Sequence, residues 1–535
     1  MKGDNLFEAN NIDNQASALQ DLAKIVEAQE GSEAYEHFLN IYSTDGYPVV
    51  SGYRDSIAEV RKKSESSDST EETTPVAVMG RISSMRVHSL YAFFDIQDSA
   101  GDSIQVIIPR KKDQELEESE ATEDFIKESK YGDVIAVYGA ATKSRAGEPS
   151  VLTDGTPVRA APAFISPDRI GPSVTAEERQ ERIKRYNIRN CMKTTIRRTL
   201  EEAGFSEVIT PILSSVPSGA NAEVFTSRID ALNRDAYLRI SPELALKTAI
   251  INSYSDKVYE FATNFRNEGV DREHSPEFEM LEFYSAYTSA EELRDFTARM
   301  VTEAVRQSLP STVINLEKED GSSVTVDLSN WRKESYSELF SEATGINLDE
   351  ALQMQEPDLK AYLLGYVRES FGADRANSYK DLSAASLIDK VFKLACRPHI
   401  QDPTFVEKYP AIMIPLARPN DENSNYVDMF QGIVGSTEVI KGYQELNDPV
   451  LQLSNLYNQA KAKAAGDNEA MSVDWSYLEA MLKGLPPTAG CGIGIDRLAA
   501  ILNGTKNIHS TMPYPFRERF MGSAAVEKLM RSSND

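Results

Sequence analysis

The spacing of hydrophobic positions changes several times along the chain, and each change marks a predicted element. Over residues 15–62 apolar residues recur at helical spacing, and the acidic segment 64–73 that follows lacks bulky apolar residues. From Val76 the period becomes two, in the segments VAVMGRI, YAFFDIQD, SIQVIIP and DVIAVYGAA. We therefore predict a helical extension with an acidic linker over residues 1–74, and a small closed barrel of the OB kind over residues 75–165.

The acidic stretch 113–125 interrupts the strand pattern and is expected to form a surface loop or a short helix. A long helix is predicted near residues 176–203, where apolar residues four apart would line one face: Ile188, Met192, Ile196 and Leu200. This helix is unusually basic, which fits either a solvated face or a patch that faces phosphate groups. Residues 336–400 are predicted to be a helical insertion, within a domain that spans residues 166–535.

Composition and charge narrow the class of protein. Of 535 residues, 41% are hydrophobic and 26% are charged, which is ordinary for a globular protein. No run approaches the ~18 apolar residues of a membrane span, and the N-terminus lacks a signal-peptide pattern, so we expect a cytoplasmic protein without membrane contact. The net charge of −26 argues against a general nucleic-acid coat. Three cysteines and five scattered histidines suggest neither a disulfide framework nor a zinc cluster.

The densest group of polar residues lies in the segment 261–287, which has the pattern of an antiparallel hairpin with a long loop. Residues two apart share a strand face, so Arg266 and Glu268 point the same way. The second strand places four residues on one face: Phe278, Met280, Glu282 and Tyr284. An arginine and two carboxylates would be costly to bury without partners. The segment therefore forms either a structural network of ion pairs or a site for a ligand with phosphate and ammonium groups.

Two further segments carry candidate chemistry. Glu438 and Glu445 would face opposite ways on a regular strand, so a bulge or bend, for which Gly442 is a candidate, would be needed to bring them together. Two converging carboxylates suit Mg²⁺ or a substrate ammonium. In TAGCGIGIDR, residues 488–497, alternating glycines leave one strand face bare for a flat ring or for close packing. The spacing fits neither a dinucleotide-binding fingerprint nor a P-loop.

The order of these motifs resembles class II aminoacyl-tRNA synthetases: a helix and strand ending at a proline, a hairpin with F-R-x-E, and a terminal G-x-G-x-G-x-D-R. FRNEG, HSPEFEMLEFY, RISPEL, YPAIMIPLA, ELNDP and GLPPTAGCGIGIDR make the chain similar to the lysyl-tRNA synthetase family in particular. The resemblance covers about residues 40–520. It implies an α+β fold, in which an N-terminal OB-fold β-barrel binds the anticodon and a class II antiparallel sheet is flanked by helices. It also implies a homodimer, with segment 204–213 at the interface, that ligates L-lysine to tRNA(Lys) with ATP and Mg²⁺.

The resemblance further implies roles for individual residues in an ATP site. Arg266 and Arg497 would be catalytic, Arg266 by bridging the α-phosphate and the amino-acid carboxylate with its guanidinium fork. The remaining expected contacts are Glu268 at the adenine amino group, Phe278 stacked on adenine, His274 and Arg497 near the β- and γ-phosphates, and Glu438 and Gln431 on Mg²⁺.

In the lysine site that the resemblance implies, Glu243 would accept a bond from the α-ammonium. Glu445 would pair with the ε-ammonium, while Tyr284 and Tyr443 cover the methylene stem, and Glu282 belongs to the same expected set. An uncharged side chain in this slot would leave Glu445 unpaired, at a cost of roughly several kcal/mol.

The barrel is expected to read the anticodon. Phe93 would stack on a base, and Arg86 and Gln105 would contact base edges, which is how OB folds read unpaired bases. Phe93 could instead lie in the barrel core.

Several residues depart from the family pattern, among them Ser218 in place of a glycine, and two of the departures bear on the metal and on the lysine site. Gln431 stands where a glutamate usually holds Mg²⁺, and its amide oxygen can bind the metal without adding charge. Lys441 stands where the family has an asparagine, and a cation there could repel the substrate ammonium groups. Lys441 leaves open an aspartyl- or asparaginyl-type ligase, against which Glu445 argues.

Two further hypotheses keep much of the fold and change the function. One is a paralogue that lysylates a protein or makes dinucleotide polyphosphates, and the anticodon-type barrel argues for tRNA instead. The second is a catalytically divergent RNA-binding or regulatory protein, which the departures at Gln431 and Lys441 would allow. The retained phosphate and adenine contacts argue against a divergent protein.

Overall fold

The computed structural model describes residues 55–66, 74–98, 101–110, 116–161, 176–216, 219, 222–318, 321–464 and 471–516. The chain divides into two compact units, residues 1–183 with 517–535, and residues 184–516. Most of the predicted N-terminal helical extension and part of the acidic linker lie outside the described residues. Helix α1, Ile57–Ser66, extends into the segment predicted to be a linker, where Ser64 is buried and its hydroxyl donates to the carbonyl of Val60.

The first unit contains a closed β-barrel. Its elements are β1 (Thr74–Val87), β2 (Tyr91–Gln97), β3 (Ser103–Pro109), α2 (Leu116–Glu128), β4 (Val134–Lys143), β5 (Pro149–Thr153) and β6 (Val158–Ala161). The strand order is β1-β2-β3-β5-β4-β6, and the pairing of β1 with β4 closes the barrel. Only β3 and β5 pair in parallel among these strands. The OB-fold prediction is confirmed, although the sequence pattern did not reveal β5 and β6.

The barrel core follows the alternation of its strands. In β2, Ala92, Phe94 and Ile96 point inward and are fully buried, while the residues between them face outward. Helix α2 occupies the acidic stretch and buries Phe125 in this core, where its ring stacks on Phe94 with 6.1 Å between centroids. A short helix is one of the two forms expected for 113–125, and α2 confirms it from Leu116 onward, with the apolar residue at the end of the stretch anchoring the helix to the barrel.

The second unit is built on strands and helices that follow the barrel. The strands are β7 (Ser206–Glu207), β8 (Leu213–Ser214), β9 (Thr226–Ile229), β10 (Arg234–Leu238), β11 (Lys257–Phe265), β12 (Glu277–Ala286), β13 (Val313–Glu317), β14 (Ser323–Asp327), β15 (Arg332–Ser335), β16 (Thr404–Pro410), β17 (Tyr426–Val434), β18 (Thr437–Gln444) and β19 (Thr488–Gly494). The helices are α3 (Ala176–Glu202), α4 (Glu243–Ile251), α5 (Ala290–Ser308), α6 (Tyr336–Thr344), α7 (Leu348–Ala351), α8 (Glu356–Phe371), α9 (Ala373–Ser378), α10 (Ala384–Ala395), α11 (Pro449–Ala464), α12 (Trp475–Met481) and α13 (Ile495–Leu502).

An eight-stranded sheet with the order β15-β16-β17-β18-β19-β12-β11-β7 forms the centre of this unit. Its internal pairs are antiparallel, and parallel pairs occur only at its two edges, β15 with β16 and β7 with β11. Hydrophobic clusters cover both faces, one with α3, α5 and α13 and the other with α4, α12 and the helices between 336 and 395. An antiparallel sheet flanked by helices confirms the predicted α+β architecture.

The basic helix α3 packs as its apolar period predicts, with Ile188, Met192, Ile196 and Leu200 buried. At three positions the cations of this helix form neither a solvated face nor a patch for phosphate groups, because each one pairs with a carboxylate. Arg189 pairs with Asp496 at 2.6 Å and with Glu279 at 2.7 Å, Lys193 also pairs with Glu279, and Arg197 pairs with Glu207 at 3.0 Å. These cations attach the helix to the central sheet, because their carboxylate partners lie on strands of that sheet and at the start of α13.

Among the described helices, none combines the length and the apolar character that crossing a membrane requires.

Candidate active site

A cavity of about 290 Å³ opens on one face of the central sheet. Its wall includes eleven of the residues predicted to form the ATP, metal and lysine sites: Glu243, Arg266, Glu268, His274, Phe278, Glu282, Tyr284, Glu438, Tyr443, Glu445 and Arg497. On β12, Phe278, Met280, Glu282 and Tyr284 all line it, as the two-residue period predicts. The cavity has an acidic slot, formed by Glu243, Glu282, Tyr284, Tyr443 and Glu445, and a basic end, formed by Arg266, His274, Phe278 and Arg497.

Arg266 lies just after β11 and brings a guanidinium to the basic end. Its backbone N–H donates to the carbonyl of Pro276 at 2.9 Å, which closes the base of the hairpin loop. Its guanidinium lies 5.1 Å from the centroid of the Phe278 ring. The Nε atom is buried and has no hydrogen-bond partner among the described residues. Burial lowers the pKa of Arg266. A buried donor without an acceptor is costly, so an anionic ligand would satisfy this group.

Arg497, the third residue of α13, is held by the hairpin loop and by β18. Its guanidinium donates to the carbonyl of Glu438 at 3.0 Å and to Nε2 of His274 at 3.1 Å. Because arginine can only donate, Nε2 of His274 accepts, and the proton of the neutral ring is on Nδ1, which lies 2.9 Å from the Asp271 carboxylate. The basic end therefore presents two arginines and a histidine whose tautomer is fixed.

In the acidic slot, Glu282 accepts hydrogen bonds on both oxygens. Ser241 donates to Oε1 and the hydroxyl of Tyr284 donates to Oε2, both at 2.9 Å. Burial raises the pKa of Glu282 to about 7, and the nearby Glu243 carboxylate acts in the same direction. The slot therefore contains a carboxylate, Glu282, whose charge changes near neutral pH.

Lys247 on α4 is a cation of the slot that the sequence interpretation missed. Its Nζ lies 2.8 Å from Oε1 of Glu243 and 2.7 Å from Oε2 of Glu445, and its side chain is fully buried. Tyr443 also donates to Oε1 of Glu243, at 2.7 Å. The spacing of Glu243 and Lys247, four apart, was the available signal, since such residues are neighbours on a helix.

Glu445 is therefore not the free carboxylate that the sequence suggested, because one of its oxygens is already held by Lys247. Its Oε1 atom is buried and has no hydrogen-bond partner among the described residues. Burial raises the pKa of Glu445, against the opposing effect of Lys247. A Cβ atom on Gly490 would approach Oε1 of Glu445 and a ring carbon of Tyr284 to 2.3 Å. At Gly490 the bare strand face thus accommodates Glu445 and Tyr284 rather than a ligand ring.

Glu438 and Glu445 reach the same cavity through a bulge in β18, but Gly442 does not provide it. The pairing with β17 shifts between Glu438 and Ile440, so Val439 is the extra residue. Gly442 is needed for another reason, since a Cβ atom there would lie 2.4 Å from the Phe430 ring. A glycine in a strand signals a bulge or a close approach, and here it is a close approach.

The predicted metal pair is only partly brought to the cavity. Glu438 lines it, whereas the amide oxygen of Gln431 accepts a hydrogen bond from the Tyr409 hydroxyl at 2.6 Å and Gln431 is not in the wall. Within the described residues, no group of three or more His, Cys, Asp or Glu side chains is arranged to hold a metal ion. A magnesium ion bound mainly through substrate phosphates needs only one or two carboxylates, which Glu438 fits.

The predicted anticodon contacts share the outer face of the barrel. Arg86 pairs in register with Phe93 across β1 and β2, and the Phe93 ring lies 5.7 Å from His88 and 6.3 Å from Tyr91. Phe93 is half-buried and is not in the core cluster, which the adjacent Phe94 occupies. Gln105 is on the same face but is buried, and its amide oxygen accepts from Ser150 at 3.2 Å.

Comparison with known proteins agrees with this arrangement. Residues 173–518 match the family described as tRNA synthetases class II (D, K and N), and residues 76–155 match the OB-fold nucleic acid binding domain. Similar proteins include the lysine–tRNA ligase of Helicobacter hepaticus, which is 33% identical over 89% of this chain and 90% of its own length. The lysine–tRNA ligase of Wolinella succinogenes is 33% identical over 85% of this chain and 88% of its own, and that of Aquifex aeolicus is 34% identical over 85% and 75%.

Proposed function

The chain belongs to the lysine–tRNA ligase family of the class II tRNA synthetases, and we propose that it activates L-lysine with ATP and transfers the lysyl group to tRNA(Lys). The observation that carries the proposal is the buried Oε1 atom of Glu445, which has no hydrogen-bond partner among the described residues and lies at the acidic slot. A buried carboxylate oxygen of this kind favours a cationic ligand over a neutral one.

The charges of the slot support lysine as that ligand. Three carboxylates, Glu243, Glu282 and Glu445, face one internal cation, Lys247, when all are ionised. Two ammonium groups would balance the remaining charge, and lysine carries two. Its α-ammonium is assigned to Glu243 and its ε-ammonium to Glu445, with the Tyr284 and Tyr443 rings along the methylene stem.

The basic end supports ATP as the second substrate. The unpaired Nε of Arg266 and the guanidinium of Arg497 provide donors for phosphate oxygens, and Phe278 provides a ring for adenine. Glu268 is assigned to the adenine amino group and His274 to the terminal phosphates. Arg266 and Arg497 are the proposed catalytic residues, because they would neutralise charge where it develops.

The proposed reaction needs positioning more than proton transfer. An oxygen of the lysine carboxylate attacks the α-phosphorus of ATP, the bond to the β-phosphate oxygen breaks, and pyrophosphate leaves. The terminal ribose hydroxyl of the tRNA then attacks the carbonyl carbon of lysyl-adenylate, the hydroxyl loses its proton, and AMP leaves. In the first step Arg266 would contact both the carboxylate and the α-phosphate, which holds the reacting atoms together.

We propose that Mg²⁺ binds at this site together with ATP. When bound with the phosphates, Mg²⁺ supplies charge neutralisation, and Glu438 is the side chain proposed to hold it. Gln431 stays a predicted ligand, although its amide oxygen already accepts from Tyr409.

We assign the outer barrel face, with Phe93, Arg86 and Gln105, to the anticodon of tRNA(Lys). The aromatic cluster of half-buried Phe93 with exposed Tyr91 and His88 supports this assignment, because unpaired bases stack on such rings.

A homodimer in the cytoplasm is the proposed working form, with domains at residues 1–74, 75–165 and 166–535. The segment after α3 supports the dimer, since it exposes apolar side chains: Ile209 is 91% exposed and Leu213 50%.

Amino-acid-dependent exchange between ATP and pyrophosphate, measured with each of the twenty amino acids, tests the proposed activity. We expect exchange with lysine alone. Exchange with aspartate or asparagine instead would indicate a different ligase, and exchange with no amino acid would contradict the proposal.

A further inference from the structure

The floor of the acidic slot is a buried triad of one cation between two carboxylates. Lys247 is 0% exposed, and its ammonium bridges Oε1 of Glu243 and Oε2 of Glu445 at 2.8 and 2.7 Å. The Tyr477 ring lies beneath it, with 5.4 Å between Nζ and the ring centroid. No solvent reaches this cation, so its partners hold it in one place.

This bridge determines which atoms remain for a ligand. Glu445 uses one oxygen for Lys247, and only its Oε1 atom is left without a partner among the described residues. A carboxylate that is fixed on one side cannot turn its free oxygen away from the slot. The same ammonium also separates two negative groups that would otherwise repel each other in a medium of low polarity.

We propose, on the basis of the proposed function, that Lys247 is a positioning residue that determines amino-acid specificity. By holding Glu243 and Glu445, its ammonium directs Oε1 of Glu445 toward the side-chain ammonium of the substrate. It also opposes the effect of burial on Glu445, so that the ionised form of this carboxylate, which can balance an ammonium group, is favoured. A neutral side chain of similar length would leave that oxygen buried and unpaired.

The groups around Glu445 determine how the loss of Lys247 changes the protonation of Glu445. The titratable and charged groups that face it are Lys247 and Glu243 of α4, Glu282 and Tyr284 of β12, Tyr443 of β18, and Tyr477 of α12. Lys247 is the cation of this set, and the remaining members are neutral or anionic. Removing it therefore favours the protonated form of Glu445, which carries no charge to balance an ammonium.

The variant Lys247→Met tests the proposal, because methionine is unbranched, similar in length and uncharged. We expect the KM for lysine in ATP–pyrophosphate exchange to rise about tenfold or more near pH 7, while the KM for ATP stays within about twofold. The increase should shrink as the pH rises and Glu445 ionises. Lys257→Met is the matched control, since Lys257 is on β11 and donates to the carbonyl of Ala203 at 3.1 Å, away from the slot. It should behave as the wild type.

A double-variant cycle separates positioning from a merely structural role. If Lys247 acts through Glu445, Lys247→Met adds nothing to the KM for lysine in the Glu445→Gln background. The double variant leaves one buried carboxylate, Glu243, without the Lys247 ammonium, whereas the single variant leaves two, so the double variant is expected to fold more readily than the single variant.

Three results would overturn the inference: an unchanged KM for lysine in folded Lys247→Met, a lower KM, which would mean that Lys247 competes with the substrate, or additive effects in the cycle. Absence of lysine-dependent exchange in the wild type would instead contradict the proposed function itself, and the two failures are therefore distinguishable.

Discussion

Lysine binding should release protons near neutral pH, because the acidic slot holds carboxylates that are partly protonated when it is empty. The pKa of Glu282 is about 7 in the folded protein, against an ordinary value of 4.5. The difference corresponds to about 3 kcal/mol, at about 1.4 kcal/mol per pH unit. An ammonium group in the slot favours the ionised carboxylate and lowers this pKa, so binding removes the proton.

The sign of the effect on stability follows from the same shift. Because the folded-state pKa of Glu282 is raised, its contribution to stability is fully present below about pH 4.5 and is lost as the pH rises through about 7. The free protein should therefore become less stable over this interval, by up to about 3 kcal/mol from Glu282, with Glu445 acting in the same direction. Lysine should restore part of that stability, and more at about pH 8 than at about pH 6.

Isothermal titration of the protein with lysine, in two buffers that differ in ionisation enthalpy, measures the protons released. At about pH 7 we expect roughly half a proton from Glu282 and a further fraction from Glu445, and a Kd that falls from about pH 6 to about pH 8. Glu282→Gln should reduce the number of protons released. A Kd that does not change over this range, with no proton exchanged, would refute the electrostatic description of the slot.

Three further predictions concern the basic end, the barrel and the sheet. Arg266→Lys keeps the charge but loses the guanidinium fork, so kcat for exchange should fall by about 100-fold or more, and a kcat close to the wild type would exclude a bridging role. Phe93→Leu should raise the KM for tRNA(Lys) by roughly 5- to 150-fold in aminoacylation, from the loss of about 1–3 kcal/mol of base stacking, and leave ATP–pyrophosphate exchange unchanged. An equal loss in both assays would count against an anticodon contact. Arg239→Met removes the cation that lies 2.7 Å from the buried Glu260 carboxylate, so unfolding should require about 3–5 kcal/mol less free energy, and Arg239→Met/Glu260→Gln should recover part of it in denaturant titrations. Failure of the double variant to recover any stability would show that the hydrogen bonds of Arg239 to Thr210 and Thr263, and not its ion pair, stabilise the sheet.

The sequence predicted the parts of this site that depend on strand period. Phe278, Met280, Glu282 and Tyr284 share one face because successive side chains of a strand alternate, and this holds whatever the sheet around them. The apolar face of α3 was predictable for the same reason, since its residues recur at the period of the helix.

The features of the site that the sequence could not show depend on contacts between segments that are distant in the chain. Lys247 has the sequence context of an ordinary helical lysine, and only the fold brings Glu445, which is 198 residues away, to its ammonium. The bulge at Val439 depends on the register with β17, which no local pattern in β18 specifies. Arg189 pairs with Asp496 in a similar way, and with Lys193 and Arg197 it accounts for three cations of a basic helix whose carboxylate partners the sequence could not show.

Glu445→Gln tests most directly whether the free oxygen of Glu445 selects a long cationic amino acid. The measurement is the ratio of kcat/KM for lysine to that for neutral amino acids in ATP–pyrophosphate exchange, together with ATP affinity. We predict that the ratio falls by about 100-fold or more while ATP binding is retained, since an amide cannot neutralise the ε-ammonium. A variant that still prefers lysine as strongly as the wild type would contradict the account.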